Sequence, residues 1–156
     1  MTKHALEELS RAVRATQDKL LSLLEPVADD QDWQPHKENW SFRFIAAHLA
    51  AADKECFWER IAGIASGENP FFDTYENTGR DFGASELTQS LKEWKETRAH
   101  ILKFVSSLSE DQVEFTGRHV RAGEITIKHV LESMLDHDEE HLEDLKRDLK
   151  KYRRQD

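Results

Sequence analysis

The chain has 156 residues, with 22 Lys and Arg against 31 Asp and Glu for a net charge of −9, and a single cysteine, Cys56. That length suits one domain, 1–156, built around one core, and the negative balance opposes binding to a polyanion such as nucleic acid. One cysteine excludes an intrachain disulfide, and the chain contains no run of 18 apolar residues, so the expectation is a cytoplasmic protein with no membrane partner.

Leu6, Leu9, Val13, Leu20 and Leu24 recur at helical spacing and predict a first helix that Pro26, Asp29 and Asp30 end. Residues 29–39 hold Pro35 and no apolar period, which predicts a loop carrying Trp33 and His36. Ser41 follows as an N-cap, with Trp40 positioned to pack on Ile45 as a hydrophobic staple. The second helix, 42–65, places His48 in the apolar stripe of Phe44, Ile45, Leu49, Ala52 and Cys56, with Glu55 and Glu59 continuing that face. Small residues Ala51 and Ala52 follow His48 and permit close approach to its ring.

Between 66 and 84 the period disappears among Gly67, Pro70, Gly79 and Gly83, with four aromatic residues interspersed. So long a loop serves either as a crossover along a bundle or as a lid, and the crossover is the preferred reading. Ser85 is the expected cap of a third helix, in which Leu87, Leu91, Trp94, Ile101, Val105 and Leu108 alternate by four and three. Arg98 occupies one position of that seam. A guanidinium there needs an anion, which two accounts supply: a buried structural acid, or an anionic substrate, the latter slightly preferred. Ser109 to Gln112 forms a capping box for a short turn, Gly117 and Gly123 interrupt the chain, and Thr126 caps the last helix, 126–152. No strand is expected.

Four long amphipathic helices predict an all-α four-helix bundle, an architecture whose core commonly holds metal sites. On the last helix His137 and His141 stand four residues apart, about 40° around the axis, and so project from one face beside Val130 and Met134. Each histidine taken singly reads as an ordinary boundary residue. An inward pair together with a third histidine in a packing stripe, His48, also reads as a mononuclear metal site, and both readings stand. His4, His36, His100, His119 and His129 lie in the terminus, in loops or off the seams, and Cys56 reads as a small buried hydrophobe. The segment from His137 to His141 fits the H-x-x-E-H pattern of inverted zinc peptidases, yet too little chain follows it for a downstream ligand helix. A di-iron centre needs two Glu-x-x-His motifs, and the nearest approach is the single Asp138-x-x-His141.

Asn39-Trp40-Ser41 leading into Ala46-Ala47-His48-Leu49, followed by Ile125-Thr126-Ile127 and His137-x-x-x-His141, resembles the DinB-like (DinB/YfiT) superfamily of metal-dependent proteins. The resemblance spans nearly the whole chain. It implies an up-down-down-up bundle with 66–84 as the long crossover between parallel second and third helices. It also implies a three-histidine site for nickel, zinc or another divalent ion, carried onto His48, His137 and His141. Some members are S-transferases that use bacillithiol or a similar small thiol, some are mycothiol-dependent isomerases, and many have no assigned activity. The functional expectation is therefore a metal-dependent thiol S-transferase, or a related hydrolase, acting on a small electrophile. Glu55, Glu59 and Arg98 are the candidates to support the ligands or contact substrate, a solvated carboxylate being the preferred reading of each glutamate, and no catalytic residue is assigned. The alternative is a non-catalytic metal-binding or stress-response bundle acting through homodimerisation or partner binding.

Overall fold

The computed structural model describes residues 2–154. Helix α1 (Thr2–Leu24) runs into a 3-10 turn, Glu25–Asp30, where Pro26 occupies the start. Helix α2 (Phe42–Ala52) begins at Ser41, whose side chain accepts from the Phe44 amide. A π-helical turn, Asp53–Phe57, links it to α3 (Trp58–Ala65), so the single helix expected over 42–65 contains a wide turn directly after the His48 stripe. The crossover contains the two-residue strand β1 (Phe71–Phe72) and leads to α4 (Leu87–Ser106). The short α5 (Glu110–Glu114) opens on the Ser109 capping box, and α6 (Ile127–Arg153) opens on Thr126, which exchanges bonds with His129.

The core comprises two main clusters, and these fix the direction of each helix. Leu6 and Val13 of α1 pack with Ile61 and Ile64 of α3, Ile101 and Val105 of α4, and Val130 and Met134 of α6. Leu20 and Leu24 pack with Phe42 and Ile45, Leu87 and Leu91, and Leu142 and Leu145. Hence α1 and α6 run one way while α2–α3 and α4 run the other, an up-down-down-up bundle whose parallel middle helices require the long connection through 66–84. No helix is long and apolar enough to cross a membrane among the described residues.

Two further expectations differ from the structure. Ser85 does not cap α4: the N-cap is Glu86, and the Leu87 amide donates instead to Gln31 Oε1, from a residue 56 positions earlier. The region of Gly117 and Gly123 forms a hairpin rather than a plain interruption. Strand β2 (Thr116–His119) pairs antiparallel with β3 (Gly123–Thr126) and parallel with β1. Each strand buries a single side, over at most four residues, too short for a visible alternation. Gly117 is required there, because a Cβ would stand 2.9 Å from the Phe72 ring and 3.0 Å from Ile64.

Candidate metal centre

His48 projects from the middle of α2, and His137 and His141 from successive turns of α6. The fold brings their ring nitrogens together, with His48 Nε2 3.1 Å from Nε2 of both His137 and His141. One nitrogen from each of the three falls within 4.8 Å of the others, among the described residues. Two imidazole nitrogens sharing a tetrahedral ion at about 2.0–2.1 Å stand roughly 3.3–3.4 Å apart, close to these separations.

Protonation decides whether such an arrangement suits a cation, and the neighbours of two rings settle it. Arg80 holds Glu55 with bonds of 2.5 and 2.9 Å, keeping that carboxyl below its ordinary pKa. Glu55 as a carboxylate only accepts, so the Tyr75 hydroxyl donates to it at 3.0 Å and accepts from Asn77 Nδ2 at 2.8 Å. The Asn77 amide is thereby oriented with Oδ1 toward His48, 2.5 Å from Nδ1. His48 must then carry its proton on Nδ1, leaving the Nε2 lone pair bare. On the other side, Asp138 Oδ1 lies 3.1 Å from His137 Nδ1 and assigns that ring the same tautomer. With both rings neutral in these tautomers, two Nε2 lone pairs face each other at 3.1 Å, an arrangement that would suit a shared cation.

Burial favours the neutral form of His48 and His141. Desolvation lowers the His48 pKa, partly opposed by the Asn77 bond. His141 is lowered to about 3, first by burial and then by the adjoining His137 and His48. Trp40 covers the group, its ring 4.8 Å from His48 and stacked 5.5 Å from His141. Beyond packing with the cluster that contains Ile45, it therefore forms a wall of the site.

Arg98 lies elsewhere than the sequence preference for a substrate clamp suggests. It is 1% exposed, donating through Nε and Nη2 to both oxygens of Asp53 at 2.8 and 2.9 Å. Nη2 also reaches Asp138 Oδ2 at 2.9 Å, and Nη1 the Val13 carbonyl at 3.1 Å. One side chain thus joins all four long segments of the bundle, and the seam position is explained by buried acids. Burial disfavours its charge, but Asp53 and Asp138 outweigh that and raise its pKa. Burial likewise raises the Asp53 pKa against the pull of Arg98. Arg98 and His137 share Asp138, Nη2 of the one at Oδ2 and Nδ1 of the other at Oδ1. Glu55 sits at the far end of the chain leading to His48, while Glu59 is exposed on α3.

A cavity of about 260 Å³ adjoins the histidines, bounded by His48 and His137, by Ala52, Cys56 and Phe57, and by 74–78 of the crossover. The crossover is therefore also a wall of the site. A larger groove of about 570 Å³, lined by Ala47, Ala51, Trp58 and His100, contains none of the three histidines, while a second cavity of about 260 Å³, bounded by Trp40, Ile45 and Asp148, reaches His141. Sequence reasoning missed Asn77, Tyr75 and Arg80, which lie in an aperiodic loop. It also gave His119 no role, although the hairpin places that ring on the cavity wall.

The model of the DinB superfamily matches residues 12–145. A similar solved structure is that of YfiT from Bacillus subtilis, described as "a probable metal-dependent hydrolase with an unusual four-helix bundle topology". It shares 19% identity with this chain at a TM-score of 0.75, covering 91% of this chain and 86% of that one. No curated protein sequence matches significantly.

Proposed function

This chain belongs to the DinB superfamily, and from that premise we propose that it is a mononuclear metal-dependent enzyme acting with a low-molecular-weight thiol on a small electrophile. The observation that carries the reading is the convergence of three ring nitrogens, His48 Nε2 lying 3.1 Å from Nε2 of both His137 and His141. A divalent ion held there, nickel or zinc by the donor set, would act as a Lewis acid and lower the pKa of a coordinated nucleophile. The chain's own residues do the rest. Asn77 and Asp138 hold two rings in the ligating tautomer, Trp40 excludes water from one side, and the cavity beside His48 and His137 receives the electrophile.

Water in place of the thiol would make the protein a hydrolase, the second reading, which the description of the YfiT structure favours. Both predict about one divalent ion per chain, measured by equilibrium dialysis on protein without a histidine tag. The His137→Ala, His141→Ala double variant should lose that binding. Undiminished affinity would place the ion elsewhere. Turnover of a model electrophile by the loaded protein, with and without added thiol, separates the two enzymatic readings. Absence of both activities despite full loading would favour a non-catalytic metal-binding bundle, with dimerisation then tested by sedimentation.

A further inference from the structure

The 260 Å³ cavity beside His48 and His137 is also lined by Arg60 of α3 and His119 of β2. Both residues, together with Phe57, also line a smaller cavity of about 140 Å³, so the three stand where the two spaces meet. Arg60 Nη2 donates to the Asp73 carbonyl at 3.0 Å, and its guanidinium lies over the Phe72 ring, 5.9 Å from the centroid. Among the described residues it makes no other hydrogen bond and pairs with no carboxylate, although a guanidinium carries five N–H donors. The contrast with Arg43, Arg80 and Arg98, each of which grips a carboxylate, is plain.

The ring of His119 is equally committed on one edge. Its Nδ1 accepts from the amides of Arg121 and Ala122, both at 3.1 Å, in the turn joining β2 to β3. The proton must therefore sit on Nε2, which is left as the ring's donor. Ala52, Cys56 and Phe57 add apolar lining, and Glu76 of the crossover is the one carboxylate among the lining residues. A fixed planar cation, a neutral N–H donor and an apolar wall suit a monoanion with a hydrocarbon body better than a phosphate dianion, which ordinarily attracts several cations. The volume is at the small end for ligand cavities.

We infer that this cavity binds a small carboxylate-bearing molecule, its carboxylate received by Arg60 and the His119 Nε2–H and its apolar body lying against Ala52, Cys56 and Phe57 toward the three histidines. As an assignment of substrate class it rests on the enzymatic reading above, but the binding itself does not require an ion. The test is calorimetric titration of phenylacetate and hexanoate, each beside its neutral amide, into metal-stripped and zinc-loaded protein. Each acid should bind both forms at least about tenfold more tightly than its amide, on the strength of a charge-assisted pair. Arg60→Gln should reduce the acids to the level of the amides and leave zinc affinity unchanged, while Arg60→Lys should keep part of the preference. Equal binding of acid and amide by the parent protein overturns the inference, as does unchanged acid binding by Arg60→Gln. Acid binding confined to the zinc-loaded form and indifferent to Arg60 would mean direct ligation of the ion and also overturns it. If Arg60→Gln does not fold, His119→Phe supplies the same comparison. Failure of zinc uptake with the acid preference intact would sink the metalloenzyme reading and leave the carboxylate site standing.

Discussion

His48 and His137 receive the same tautomer from opposite kinds of support. Behind His137 stands an ionic group, Asp138, Arg98 and Asp53, buried where all four long segments meet. Behind His48 stands Asn77, itself 2% exposed, and then Tyr75, Glu55 and Arg80, a chain that leaves the core through the crossover and ends on a partly exposed ion pair. The first arrangement couples ring orientation to the stability of the bundle. The second couples it to the position of a loop, so the two should fail differently when damaged.

The largest difference is expected at Arg98. Arg98→Met leaves two buried acids without their counter-charge and should lower unfolding free energy by about 3–5 kcal/mol, with or without ligand, in denaturant titration. A parental midpoint would mean that the acids relax or protonate at little cost. Next comes acidity. The unfolded state takes up protons on histidine near pH 6.5 while folded His141 resists until about 3, so the unfolded state binds more protons in that window. Stability should therefore fall as pH drops from about 6.5 toward 3, by a few kcal/mol from this source, with His48 contributing in the same direction. His141→Gln should flatten the slope relative to the parent; an identical slope would remove the histidines from the account.

On the loop side the effects should appear in affinity more than in stability. Asn77→Ala should weaken zinc binding by about 10–100-fold, since the His48 tautomer is no longer fixed, and cost only about 1–2 kcal/mol in unfolding. A loss of stability comparable to that of Arg98→Met would erase the contrast between the two supports. The smallest effect is expected for Tyr75→Phe, which leaves the amide in place but removes the hydroxyl that orients it. A few-fold loss of zinc affinity, read by competition with a chromogenic chelator, is the outlook.

The parts legible in the sequence are those written in helical periodicity. The i, i+4 spacing of His137 and His141 and the seam position of His48 give both elements of the site, because a ligand on a packing stripe must face a neighbouring helix. Arg98 is visible as a charge needing a partner, but Asp53 and Asp138 are not. Asp138 is simply one more acid in an acidic helix, and Asp53 is turned inward by a π turn that no local composition announces. Asn77, Tyr75 and the His119 edge of the hairpin depend on long-range placement of aperiodic segments, for which the residue order carries no repeating signal.

Helices α1 and α6 run in the same direction through both core clusters, yet roughly a hundred residues lie between Leu24 and Ile127. Bringing them together requires closing nearly the whole chain, unlike the neighbour-to-neighbour hairpins of a simple up-down bundle. Folding should accordingly be slow for an all-helical protein of this size, its rate governed by entropy of closure rather than by helix growth. Since α6 carries two of the three histidines, the full ligand set exists only once α6 has docked against α2; until then His48 stands apart from the His137 and His141 pair.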